Sequence, residues 1–146
     1  MAKGMTNSQV SMIKDAPKMK LNPKPYNLAE RTMQYALLSR EFLKRYPKNS
    51  LSSTDCRQLW KSTGSVGANS LEATEAVSRD DFIYRIKICR KEARESAYWF
   101  SLLKPTTPSV LEPERVSLFE ESNELVKIFQ AIINKTTNHT KQSHQY

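Results

Sequence analysis

Apolar residues recur at intervals of three and four along four stretches of the chain, separated by polar or proline-containing runs. In the first stretch Leu28, Tyr35, Leu38, Phe42 and Tyr46 fall on one helical face. Asn27, with Glu30 three residues on, makes a capping-box pattern at its start, and Pro47 ends it. The second opens at Ser52 or Ser53 and carries Cys56, Leu59, Trp60, Thr63, Gly67, Ser70, Leu71 and Thr74. The third opens at Ser78 with Asp81 at the capping-box position, and its stripe runs through Phe82, Ile86, Cys89, Ala93, Ala97, Phe100 and Leu103 to a stop at Pro105. The fourth follows a loop with Pro105 and Pro108 and has Pro113 in its first turn, where a missing N–H costs nothing. Its stripe is Val116, Phe119, Asn123, Val126, Phe129 and Ile133. No segment alternates with the period of a strand. Four amphipathic helices with short connections predict an all-α, antiparallel up-down four-helix bundle over residues 27–136.

Composition supports one domain. The chain has 146 residues, 38% of them hydrophobic, and only three glycines, too few for a turn-rich sandwich or a glycine-rich nucleotide fold. No apolar run reaches the ~18 residues of a membrane span, and the N-terminus carries no apolar block resembling a signal peptide. Two cysteines without such a signal, Cys56 and Cys89, read as reduced, buried thiols of a cytoplasmic protein. The sequence offers no metal-ligand set, no cofactor motif and no catalytic constellation: His139 and His144 fall in a polar tail, and no phosphate-loop, deaminase or di-iron signature is present. A non-enzymatic role is the expectation.

Charge changes the picture more. With 23 Lys and Arg against 15 Asp and Glu, the net charge is +8, which suits nucleic acid or an acidic protein as partner. Residues 1–26 carry five Lys and one Asp and read as a flexible basic arm; residues 137–146 read as a disordered polar tail. On the third helix Lys87, Arg90, Lys91 and Arg94 share a face, and Arg40, Lys44 and Lys48 make a second, shorter basic row on the first. Like charges one turn apart repel, so something acidic across the face would relieve them. Phosphates would serve, as would the acidic fourth helix (Glu120, Glu121, Glu124) of a neighbouring subunit, and a solvated basic face is the plain alternative. Glu92 and Glu95 interrupt the face. Tyr98, Trp99 and Phe100 cannot all face one core, since neighbouring helical positions differ by about 100°. Phe100 continues the apolar stripe, so Tyr98 or Trp99 points elsewhere, towards subunit contact, partial burial or a stacked base.

Gly64 and Gly67 sit mid-helix, where glycine costs about 1 kcal/mol relative to alanine. A GxxG backbone clamp would need a sheet, so a stripe of small residues for close helix packing is the better reading. Asn69 and Glu72 lie one turn apart; Glu72 has no paired partner for base catalysis, and an inter-helix hydrogen bond is the simpler role.

The run Leu59–Ala73 (LWKSTGSVGANSLEA), with Ser78–Phe82 (SRDDF) and Lys91–Trp99 (KEARESAYW), resembles the bacterial four-helix-bundle proteins first noticed in intervening sequences of 23S ribosomal RNA genes. The similarity spans residues 27–136 and departs in the basic arm and at Thr63-Gly64. The resemblance implies a ring-like homopentamer. Related accessory proteins of diversity-generating retroelements are basic pentamers that bind RNA and a reverse transcriptase. The implied partners are therefore further copies of the chain, RNA or DNA, and a protein such as a reverse transcriptase. The family brings no catalytic residues. Its motif falls on Ser65, Gly67, Asn69 and Glu72, read as packing and inter-helix hydrogen bonding, and the expected subunit interface includes Glu92, Glu95, Tyr98 and Trp99.

Overall fold

The computed structural model describes residues 27–105 and 109–142, with side chains as far as 139. The basic arm at 1–26 and the last four residues lie outside the described residues. Four helices follow in order: α1 (Leu28–Arg45), α2 (Ser52–Thr74), α3 (Arg79–Leu102) and α4 (Glu112–Gln142). Among the described residues there is no strand.

The helix starts are built locally. Asn27 Oδ1 accepts from the Ala29 N–H at 3.0 Å, satisfying one of the orphan donors of α1. At α3, Ser78 Oγ accepts from the Asp81 N–H at 3.1 Å, and the Asp81 carboxylate accepts in return from the Val77 N–H at 3.2 Å. The α2 helix opens at Ser52, one of the two expected positions. Its cap comes from Asn49, whose Oδ1 accepts from the N–H groups of Leu51 and Ser52, both at 2.9 Å. The α4 helix passes the expected boundary at 136 and continues through 137–142, where a disordered tail was expected. No proline or glycine stands there to stop it. The Thr136 and Thr137 hydroxyls bond back to the carbonyls of Ile132 and Ile133, within the helix.

Cross-helix partners give the topology. Arg31 and Tyr35, near the start of α1, meet Glu121 and Ser122, whereas Arg45 at its end meets Glu114, so the two helices run antiparallel. Ser62 with Ser96 and Asn69 with Arg85 run α2 against α3 in the same sense, as Phe100 with Arg115 and Arg90 with Gln130 do for α3 and α4. Gly67 lies against Thr32, and Trp60 against Arg40, completing the antiparallel circuit between α1 and α2. Neighbours pack in chain order, α1 and α3 occupy one diagonal, and the α1–α4 seam is the loosest.

The core contains Tyr35, Phe42, Leu59, Val66, Ile86, Cys89, Phe100, Leu118, Leu125 and Phe129, all at 2% exposure or less. Over the first half of α4 the buried face is turned one position from the expected stripe, while the stripe's Phe129 and Ile133 are buried. Leu118, Ser122 and Leu125 are buried, whereas Phe119, Asn123 and Val126 are half-buried and Val116 is exposed. On α2, Trp60, Leu71 and Thr74 also leave the expected stripe for the surface, and Ser62, Val66 and Ala73 take the core positions.

Small hydroxyls run through this core. Thr32, Ser39, Ser62, Thr63, Ser70, Ser96 and Ser122 are all buried. Two bonds tie helices together: Tyr35 Oη to Ser122 Oγ at 2.7 Å, and Ser96 Oγ to Ser62 Oγ at 2.8 Å. Burial pushes the Tyr35 phenol well above its ordinary pKa, so it stays protonated and available to this pair. Replacing Tyr35 with Phe should cost about 1 kcal/mol, because the Ser122 hydroxyl keeps its bond to the Leu118 carbonyl. Phe42→Ala should cost about 3–5 kcal/mol through the cavity it leaves. Urea unfolding of the two variants checks the ratio.

Both thiols are buried. Burial pushes Cys89 up to about 12, and its Sγ donates to the Val66 carbonyl at 3.6 Å; burial also raises Cys56. A raised thiol pKa means little thiolate at pH 8, so a disulfide reagent should label neither residue until the chain opens. Labelling followed across a urea gradient should release both thiols together with the loss of helical circular dichroism.

Candidate functional site

The residues singled out from the sequence separate into three environments. The first is the outer face of α3. Lys87, Lys91 and Arg94 are exposed, and none makes an ion pair among the described residues. Arg90 leaves this row. It is half-buried, and its Nη1 donates to Gln130 Oε1 at 2.5 Å, so it belongs to the α3–α4 seam. The reason is angular: Arg90 stands one turn from Ile86 and Ala93, at the edge of the buried face.

The second environment is the outer surface around α1, where the expected row Arg40, Lys44, Lys48 does not form. The Arg40 guanidinium lies 4.5 Å over the Trp60 ring of α2, a cation–π contact. Lys44 pairs with Glu41 at 2.7 Å, which holds the Glu41 carboxyl below its ordinary range. Lys48 follows the end of α1 at Arg45, with Pro47 between them. Beside Arg40 the surface is apolar. Met33, Leu37 and Leu71 are 59%, 45% and 59% exposed, and with Ala29, Ala36, Gly64, Gly67 and Ala68 they line a groove of ≈ 530 Å³ between α1 and α2. The sequence reading missed this groove because it assigned Leu71 to the core and gave Gly67 to helix packing.

The third environment is the small-residue motif itself. Asn69 bridges elements: its Nδ2 donates to the Ser65 carbonyl at 3.0 Å, and its Oδ1 accepts from Arg85 of α3 at 3.4 Å. Glu72 is exposed and makes no such bridge. A Cβ placed on Gly67 would meet the Thr32 carbonyl oxygen at 3.5 Å, an ordinary contact. Packing within the subunit therefore accepts alanine at Gly67, and its side-chain-free surface opens into the groove. At Gly64 the nearest atom to an added Cβ would be Arg40 Nη2, the end of a flexible side chain, at 2.9 Å. Gly67→Ala should raise stability by about 0.5–1 kcal/mol through helix propensity, as read by thermal unfolding of the dilute protein.

The remaining expected interface residues are occupied within the subunit to different degrees. Trp99 is half-buried against the core, and its Nε1 donates to Glu95 Oε1 at 3.1 Å. Glu92 is half-buried, and burial followed by the nearby Glu95 charge raises its carboxyl pKa. Tyr98 is 56% exposed, with its ring edge-on to Trp99 at 5.0 Å between centroids. The acidic fourth helix is also engaged internally. Glu121 is buried in a bidentate pair with Arg31, at 2.7 and 2.9 Å, and Glu124 pairs with Lys127 at 2.8 Å. The Glu121 hydrogen bond holds the Arg31 guanidinium pKa above its ordinary value.

Among the described residues no group of three or more His, Cys, Asp or Glu is placed to hold a metal ion. No helix among them is long and apolar enough to cross a membrane.

These features define a small four-helix bundle, all-helical among the described residues, with a cationic helix face and an apolar groove. A crystal structure of a protein of unknown function from Bacteroides thetaiotaomicron, of the S23 ribosomal protein family, superposes with a TM-score of 0.64 at 31% sequence identity, over 73% of this chain and 97% of that one. The chain belongs to the S23 ribosomal protein family. No protein-family model matches the sequence, and no curated protein matches it.

Proposed function

We propose that the protein is a non-enzymatic, oligomeric bundle that binds nucleic acid, RNA in the first place, through the outer face of α3. One observation carries this reading: Lys87, Lys91 and Arg94 stand in one exposed row without an ion-paired acid among the described residues. Three adjacent cations without partners repel one another, and phosphates relieve that repulsion while releasing counterions. The net charge of +8 adds long-range attraction. The S23 ribosomal family name of the structural neighbour favours RNA over DNA.

Self-association is the second part of the proposal. The groove between α1 and α2 exposes Met33, Leu37 and Leu71 side by side, a contiguous apolar surface suited to a helix of another copy. A ring of five copies would carry 5 × 8 = 40 positive charges and repeat the α3 row around its rim. The rival reading pairs the α3 row with Glu120, Glu121 and Glu124 of a neighbour. It is weakened because Glu121 and Glu124 already hold Arg31 and Lys127.

Titration of a labelled mixed-sequence RNA at several salt concentrations tests the binding. Affinity should fall steeply with salt, log K against log salt having a slope of roughly −2 to −3 for each subunit whose three cations engage phosphates. Reversing Lys87, Lys91 and Arg94 to Glu should abolish binding without changing the mass measured by light scattering. Leu37→Glu with Leu71→Glu should lower that mass. Undetectable binding of RNA and DNA at low salt overturns the nucleic-acid reading, and a monomeric mass for the unaltered chain overturns the assembly.

A further inference from the structure

The cationic row on α3 does not end at its cations. Tyr84 lies one turn before Lys87, and Tyr98 lies one turn after Arg94. The spacing from Tyr84 through Lys87, Lys91 and Arg94 to Tyr98 is three, four, three and four, which keeps all five on one side of the helix. All five are exposed, the tyrosines at 60% and 56%. A solvent-facing helix position gains little from a large aromatic ring, and here two of them frame an unpaired basic run. Asp80, exposed one turn before Tyr84, closes the row at that end with an acid.

We infer that this face binds single-stranded nucleic acid, with unpaired bases stacked on Tyr84 and Tyr98 and the backbone between them held by Lys87, Lys91 and Arg94. The inference rests on the nucleic-acid reading above and adds the class of substrate. Fourteen residues of helix separate the two rings, about 21 Å at 1.5 Å per residue. That length suits a run of about four nucleotides, the lower end of the sites single-strand binders use. Phosphates account for the three cations but not for the rings. The flat face of a tyrosine is sequence-tolerant and needs a base whose own face is free. A duplex has its base faces covered by stacking and offers only edges in its grooves. In an RNA duplex those edges lie in a deep, narrow major groove that side chains do not read, so a duplex would leave both rings unused. The Tyr98 ring is already braced edge-on against Trp99 at an interplanar angle of 68°, and Trp99 is anchored by its bond to Glu95. A braced ring loses little freedom when a base settles on it.

The test compares a labelled 12-nucleotide single-stranded RNA with a 12-base-pair RNA duplex, by fluorescence anisotropy at fixed salt. Four proteins are needed: the unaltered chain, Tyr84→Ala with Tyr98→Ala, Tyr84→Phe with Tyr98→Phe, and Lys87→Glu with Lys91→Glu. The single strand should bind the unaltered chain at least tenfold more tightly than the duplex. The paired alanine substitutions should weaken single-strand binding by roughly five- to a hundred-fold per ring, leaving the salt slope in place. The paired phenylalanine substitutions keep both faces and should retain that binding. Both positions are exposed, so the alanine variant should unfold at the same urea concentration as the unaltered chain. Equal affinity for strand and duplex, or an alanine variant that binds as well as the unaltered chain, overturns the stacking inference. If the Glu variant then still loses both ligands, the broader nucleic-acid reading survives. Absence of any binding by the unaltered chain at low salt removes both.

Discussion

The register of the four helices rests on a belt of buried hydroxyls. Apolar contact is non-directional, and a bundle held only by leucine and phenylalanine could slide or rotate with small changes in buried area. A hydroxyl inside the core cannot, because an unmet one costs about 1–3 kcal/mol. Tyr35 reaches Ser122 across the α1–α4 seam, and Ser96 reaches Ser62 between α3 and α2. Thr32, Ser39 and Thr63 spend their bonds on their own helices, as Ser39 does on the Tyr35 carbonyl at 2.7 Å and Thr63 on the Leu59 carbonyl at 2.9 Å. These short side chains also let the helices approach closely, a task the sequence had seemed to give to the glycines.

Fixing the rotation of α3 fixes what it shows to solvent. With Ile86, Cys89, Ala93, Ser96 and Phe100 turned inward, helical arithmetic sends Tyr84, Lys87, Lys91, Arg94 and Tyr98 outward. The edges of α3 are then committed as well. Arg85 meets Asn69 on the α2 side, and Arg90 meets Gln130 on the α4 side. Of the basic residues along the middle of this helix, those at the edges have polar partners (Arg85 also meets Asp81 at 3.8 Å), and those on the outer row make no ion pair among the described residues. A similar sorting operates at the α1–α4 seam, where the long reach of Arg31 and Arg45 to Glu121 and Glu114 spans the loosest packing in the bundle.

The helices were legible in the sequence because their ends are chemical. Asn27 and Ser78 cap, Pro47 and Pro105 stop, and each signal acts within a few residues of itself. The faces were less legible where two apolar rows lie side by side. On α4, Val116, Phe119 and Val126 form one row and Leu118 and Leu125 the next; both have helical spacing, and only the position of α1 and α3 decides between them. The same ambiguity placed Leu71 in the core and hid the α1–α2 groove. Arg40 misled for another reason. Its charge was read along its own helix, whereas its partner, Trp60, comes from α2 and is a ring rather than an acid. The Lys87, Lys91 and Arg94 row was legible because it depends only on the period of one helix.

The two surfaces left over by folding are placed so that using one does not obstruct the other. The apolar groove belongs to α1 and α2, and α1 stands on the diagonal from α3. By the 100° step, Lys87, Arg94 and Tyr98 lie between the outermost direction of α3 and the Arg90 edge that meets α4, turned away from the α2 side. A copy docked into the groove therefore approaches the side of the bundle remote from the cationic row. Assembly through the groove would multiply that row instead of covering it, and multiplication matters because three cations per subunit give only weak attachment at physiological salt. A contact through the α3 row itself would have the opposite effect, covering the cations that would otherwise face phosphates. The internal commitment of Glu121 to Arg31 thus bears on both questions at once: it closes the α1–α4 seam, and of Glu120, Glu121 and Glu124 it leaves only Glu120 and Glu124 exposed for a neighbouring subunit.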